Sequence, residues 1–203
     1  MIRVVLASAS PRRRELLGAL VEDFETVTST VDEVLGADPV ADAESLALAK
    51  AREVAARCPG AVVIGSDTIV TDGRRSYGKP EDAADALEMW RTLRGITHRV
   101  VTGVAIVGPE GESVGHSVSD VELSALDDDA VRAYIASGRP MDKAGAYAIQ
   151  DADVPTVARF EGCYCSVMGL PLWRLRAMLA AAGVTTREPA GSRPGCADCP
   201  ERL

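Results

Sequence analysis

Histidine is scarce in this chain, with 2 among 203 residues, and neither His98 nor His116 stands at metal-ligand spacing from other ligating side chains. No Gly-x-Ser-x-Gly elbow and no His-Glu-x-x-His helix is present, which removes the common serine-hydrolase and zinc-protease arrangements. Positive charge is in deficit: 22 Lys and Arg stand against 30 Asp and Glu, for a net charge of -8. General nucleic-acid or membrane-surface binders are normally basic, so neither partner is expected. An anionic ligand would have to be held by a local cationic site. No apolar run approaches the roughly 20 residues that span a bilayer, and Met1 to Ala9 is too short for a secretory leader. The cysteines are odd in number (Cys58, Cys163, Cys165, Cys196 and Cys199). They imply no disulfide framework, and a reducing cytoplasm is the expected compartment. Cys196-Ala-Asp-Cys199 has the spacing of half a zinc site, without a second pair at the matching distance in sequence. Cys163 and Cys165 alternate on an expected strand and read as packing residues, with zinc held by all four as the alternative.

What is present is an ordinary globular composition, 47% apolar and 26% charged, long enough for one domain or two small ones. Strand-like and helix-like stretches alternate. Ile2 to Ala7 reads as a buried strand, and Ser10-Pro11 supplies an N-cap hydroxyl and a first-turn proline for a helix reaching about Leu20. A second strand is expected over Phe24 to Val31, a long helix over Ala41 to Arg57, and a strongly apolar strand over Ala61 to Val70. Pro80 opens the next helix. Strands over His98 to Val107 and Ser113 to Leu123 follow, joined by the Gly108-Pro109-Glu110-Gly111 turn. Asp127, Asp128 and Asp129 suit the positive end of a helix dipole, and Gly138 closes that helix. Arg139 to Gln150 is a mixed polar segment, and Pro171 to Ala182 is a final helix. From Thr185 the chain is polar and rich in Pro and Gly, and is expected to be a flexible tail. Mixed strands and helices of this kind imply an α/β or α+β sheet flanked by helices.

Three local patterns point to chemistry. The loop Leu6 to Arg14 joins a buried strand to a helix N-terminus and adds Ser8, Ser10, Arg12, Arg13 and Arg14 to the free backbone N–H groups there. Arginines repel the positive end of a helix dipole, so an anion between them would resolve the conflict. Asp67 interrupts an apolar strand, flanked by the small Gly65 and Ser66, and a carboxylate there needs a partner or a metal. Lys50 emerges from the apolar stripe of Leu46 and Val54, four residues to either side. Gly73 through Gly78-Lys79 nearly spells a phosphate-binding P-loop, but Pro80 lacks the hydroxyl and the N–H that motif requires. Lys79 stays as a phosphate contact. Cations for a phosphate chain, with Asp32 or Glu33 and Asp67 to hold a hard divalent cation, fit metal-assisted hydrolysis of a nucleotide polyphosphate.

The segments LASASPRRRELL at 6–17, LAKAREVA at 48–55, VIGSDTIV at 63–70, GKPEDAADALEMWRTLRGITHRVVTGV at 78–104, GRPMDKAGAYAIQ at 138–150 and EGCYCSVMGLPL at 161–172 follow one another in an order that is highly specific. In these the chain resembles the Maf-like nucleoside triphosphate pyrophosphatases, over residues 1–184. The resemblance implies an elongated α/β fold of two lobes around a central cleft, a homodimer, and divalent-cation-dependent release of pyrophosphate from a nucleoside triphosphate. It implies a catalytic role for Asp67, Lys50 and Lys79 and substrate contacts from Ser8, Arg12 and Arg13. An acidic metal-side position falls on Asp32 or its neighbour Glu33. Arg12, Thr68 and Gln150 match the dTTP/UTP subgroup, and the Gln150 amide can both donate to and accept from a pyrimidine edge. The family's association with cell-division arrest leaves a nucleotide-binding regulator, or a house-cleaning enzyme for another triphosphate, as alternatives. Asp151, the Val157-Ala158-Arg159 stretch, Cys163 and Cys165 depart from the family pattern.

Overall fold

The computed structural model describes residues 2–202. Among these residues seven strands form one mixed sheet, in the order β2-β1-β3-β5-β6-β7, with β4 also on β3. The strands are β1 (Val4–Leu6), β2 (Glu25–Thr26), β3 (Val62–Thr71), β4 (Ser76–Tyr77), β5 (Thr97–Gly108), β6 (Gly111–Leu123) and β7 (Val157–Glu161). The helices are α1 (Pro11–Leu20), α2 (Pro39–Arg57), α3 (Ala83–Leu93), α4 (Asp128–Ala136), α5 (Tyr164–Met168) and α6 (Leu172–Ala181), with short 3-10 turns at Arg139–Asp142 and Ala144–Ala146. β1 pairs in parallel with β2 and β3, and the other pairings are antiparallel. Among the described residues no helix is long and apolar enough to cross a membrane.

The alternation of β3 organises the core. Val62, Ile64 and Val70 face one side of the sheet, with Ser66 and Thr68 between them. The first two join a cluster with α1, α5 and α6, while Val70 joins a separate cluster with α3 and α4. β5 repeats the pattern in register, with Val104 and Ile106 in the first cluster, Val100 in the second, and Thr102 opposite Thr68. Two apolar bodies therefore share one sheet across a polar waist. On the other face Val63, Ala105, Ile69 and Val101 pack beneath α2.

The approach of α2 to the sheet depends on Gly65 and Gly103. A Cβ on Gly65 would lie 2.0 Å from the Ala47 carbonyl oxygen, and one on Gly103 would lie 2.1 Å from that of Ala43. No other residue type lets the helix backbone rest there. One edge of β3 is incompletely covered. β1 pairs with Val62 to Ile64 and β4 with Val70 and Thr71, so Gly65 to Ile69 have no strand partner on that side among the described residues.

Several elements differ from the sequence expectation. The strand expected over Phe24 to Val31 shrinks to Glu25–Thr26, because β1 ends at Leu6 and the pairing ends with it, Val27 N–H donating to the Leu6 carbonyl at 3.0 Å. The helix expected from Pro80 starts at Ala83, where the Asp82 carboxylate caps the N–H groups of Ala84 and Asp85. Cys163 and Cys165 do not alternate on a strand; they open α5, after Gly162 turns the chain at φ 118°. Residues 185–202, in the tail that the sequence reads as flexible, form no helix or strand; Cys196 and Cys199 there are buried, and Arg187 N–H donates to the Leu20 carbonyl at 2.8 Å.

Candidate active site

A cavity of about 650 Å³ opens along the uncovered edge of β3. Its base is formed by Asp67 and Thr68, on opposite faces of the strand and both reachable because no neighbouring strand covers this stretch. Asp67 faces α2, where Lys50 stands next to Ala51, which packs on Gly65. Lys50 Nζ donates to Asp67 Oδ1 at 2.5 Å and to Glu33 Oε1 at 2.5 Å. Lys50 and Asp67 are both buried. Burial alone would raise the Glu33 carboxyl pKa, but the Lys50 hydrogen bond and the charges of Lys50, Lys79 and Arg13 outweigh it and hold the pKa below the usual carboxylate value.

Glu33 arrives on the loop between β2 and α2, and it lines the cavity; Asp32 is exposed and does not. The two acids that the sequence left open are thus separated by the path of the loop.

The opposite wall is the loop before α1. Ala7 N–H donates to the Ile64 carbonyl at 2.8 Å, and Ser8 Oγ accepts from Ser10 N–H at 3.1 Å, so the turn is held from within. Ser10 then caps Arg13 N–H. Arg13 is fixed at its base: Nε donates to the Gly169 carbonyl at 2.9 Å and Nη2 to Thr68 Oγ1 at 3.1 Å. Burial pushes the Arg13 pKa down, opposed by the charges of Asp67 and Glu33. Arg12 reaches across to Asp142, donating to Oδ2 at 2.7 Å. Arg14 is exposed and does not line the cavity, so only two of the three arginines face inward.

Lys79 and Gln150 line the same cavity, joined by Lys143 and Tyr147. Lys143 Nζ donates to the Arg139 carbonyl and to Asp142 Oδ1. Tyr147 OH meets the buried His98 Nε2 at 2.8 Å. The sequence reading passed over Asp142, Lys143 and Tyr147, which sit in the segment taken as mixed polar. Their signal is the DKAGAY run at 142–147, where Gly145 takes φ 70° and all three residues line the cavity.

The arrangement has clear chemical consequences. Arg12, Arg13, Lys79 and Lys143 surround space large enough for a polyanion. Two carboxylates face that space and share one ammonium, offering hard oxygen donors beside a cationic wall.

A family model described as Maf-like protein matches residues 3–182. A Moorella thermoacetica protein named dTTP/UTP pyrophosphatase is 48% identical over 190 residues, covering 91% of this chain and 97% of its own. A Thermomicrobium roseum protein of the same name is 44% identical over 202 residues, covering 97% of this chain and 93% of its own. Among solved structures, a Staphylococcus aureus Ham1 protein aligns with 60% of this chain and 72% of its own, at 17% identity and a TM-score of 0.46, too slight a likeness to carry weight. The family match runs from β1 through α6 and spans every residue that lines the cavity, and on that extent this chain belongs to the Maf family.

Proposed function

We propose that this protein hydrolyses dTTP and UTP to the nucleoside monophosphate and pyrophosphate. The observation that carries the reading is Lys50 shared between Glu33 and Asp67 at the open edge of β3, facing Arg12 and Arg13 across one cavity. The names of the relatives support the same reaction and the same two substrates.

In this reading Ser8, Arg12, Arg13, Lys79 and the N–H groups of the loop before α1 hold the triphosphate. Lys50 fixes Asp67 through Oδ1, leaving the second carboxylate oxygen to accept a proton from a water. That water's oxygen bonds to the α-phosphorus as the bond to the bridging oxygen between the α- and β-phosphates breaks. Pyrophosphate leaves with the bonding electrons, and its developing charge is met by the surrounding cations. Thr68 steadies Arg13 through their hydrogen bond, and Gln150 contacts the base with an amide that both donates and accepts. The donor set fits a divalent cation, since magnesium is usually held by one or two carboxylates together with substrate phosphates and waters. Glu33 and Asp67 would hold magnesium or manganese, whose chemistry there is to neutralise phosphate charge. The same reading includes a homodimer in the cytoplasm.

The test is pyrophosphate release with magnesium or manganese from dTTP, UTP, CTP, ATP and GTP, with Asp67→Asn as control. Turnover favouring dTTP and UTP and lost in the variant is the expected result. Preference for a purine triphosphate would replace the substrate assignment. Nucleotide binding without release would replace the enzyme with a nucleotide-binding regulator.

A further inference from the structure

Four cysteines that stand 31 residues or more apart as two pairs meet on the far side of α5 from the cavity. Cys163 and Cys165 open α5, and Cys196 and Cys199 lie on the tail. All four are buried in the same cluster as α1 and α6. Cys165 Sγ lies 3.2 Å from Cys196 Sγ. Cys163 and Cys199, two and three residues from that pair, lie in the same buried cluster. Cys58, the fifth, packs in a different cluster beneath α2.

We propose that Cys163, Cys165, Cys196 and Cys199 bind one structural zinc ion that fastens the tail to α5. The tail pair has a Cys-x2-Cys spacing common in structural zinc sites, and the fold supplies the second pair that linear spacing hid. The tail also lacks any other regular element to hold it: residues 185–202 form neither helix nor strand. Among the described residues no group of three or more His, Cys, Asp or Glu side chains is already arranged to hold a metal ion. Two sulfurs on one tetrahedral zinc stand about 3.8 Å apart for a Zn–S bond of about 2.3 Å. Cys165 and Cys196 must therefore separate by about half an ångström, a change within reach of side-chain rotation.

A zinc ion here would brace a wall of the cavity from behind. The carbonyl of Ser166 in α5 lies 2.7 Å from Thr102 Oγ1, and that of Gly169, which ends the helix, accepts from Arg13. The Trp173 indole N–H also donates to the Cys196 carbonyl, at 2.8 Å, so the tail contacts both α5 and α6.

The experiment is metal analysis of the full chain, purified with zinc in the medium, alongside cobalt(II) titration of the reduced, metal-stripped protein. About one zinc per chain is expected, with a sulfur-to-cobalt charge-transfer band on titration. Cys196→Ser and Cys199→Ser should lose the band and the metal, whereas Cys58→Ser should keep both. The wild-type titration reads the site even where a cysteine variant fails to fold. Thiolate-to-cobalt absorption also separates this site from carboxylate binding in the cavity. A chain that binds no zinc and shows no such band, a Cys165–Cys196 disulfide in its place, or metal retained in Cys196→Ser would overturn the proposal.

Discussion

Lys50 Nζ stands 2.5 Å from Asp67 on β3 and 2.5 Å from Glu33 on the loop before α2, so one buried ammonium joins a strand, a helix and a loop. Replacing it leaves Asp67 buried without its partner. Lys50→Met is expected to lower stability by about 3 kcal/mol, the scale for breaking one side of a buried ion pair. Lys50→Met with Asp67→Asn should recover part of that loss. Urea unfolding of both variants measures the coupling, and simply additive losses would argue against a direct interaction.

Asp67→Asn keeps the size of the side chain and removes the proton acceptor. Turnover should fall about 100-fold to 10,000-fold, the usual range for a general base, with the far-UV circular dichroism unchanged. Near wild-type release of pyrophosphate would remove Asp67 from the reaction.

Glu33 and Asp32 are neighbours in sequence with different surroundings, since only Glu33 lines the cavity and meets Lys50. Glu33→Gln should reduce turnover at least about tenfold, in line with loss of a ligating or polarising group, and raise the metal concentration needed for half-maximal activity. Asp32→Asn should leave both nearly unchanged. A metal-activation curve for each variant distinguishes the two acids, and the reverse ranking would assign the role to Asp32.

Gly65→Ala places a Cβ 2.0 Å from the Ala47 carbonyl oxygen and 2.9 Å from Ala51 N, both backbone atoms that cannot step aside. It should cost at least about 2 kcal/mol and displace Lys50 from Asp67, reducing activity as well. Gly18 in α1 provides the contrast, because nothing lies within 4 Å of its added Cβ. Gly18→Ala should stabilise the protein by roughly 0.5–1 kcal/mol through helix propensity. Thermal melts of the two variants should move in opposite directions.

His98 is buried against Tyr147, and burial lowers its pKa to about 4 from the ordinary histidine value of 6.5. The unfolded chain therefore binds a proton below about pH 6.5 that the folded chain refuses until about pH 4. The stability that neutral His98 contributes is complete above pH 6.5 and is lost as pH falls to 4, by about 3 kcal/mol at most. His98→Gln should flatten that part of the stability curve. Denaturant unfolding from pH 7 to pH 4 checks it, and parallel curves for variant and wild type would refute the assignment.

Much of the site was legible along the chain because its signals are short-range. A serine before Pro11 caps the helix that follows it, and a polar Ser66-Asp67-Thr68 run inside an apolar strand marks a place where the core opens. Helix caps and alternation act within a few residues, so they survive in any reading of neighbours. The ordered motifs carried the family in the same way. Other features depend on segments distant in sequence. Glu33, not Asp32, faces the cavity because the loop leaving the two-residue pairing of β2 with β1 follows its own course to α2. Lys50 meets Asp67 because Gly65 and Gly103, brought onto neighbouring strands, let α2 lie directly on the sheet. Arg12 finds Asp142 across 130 residues, and two cysteine pairs of unlike spacing converge only when the tail docks beside α5. Periodicity records which side of an element is apolar; the partner that each side meets is set by packing between elements, where burial, backbone clearance and strand register act together.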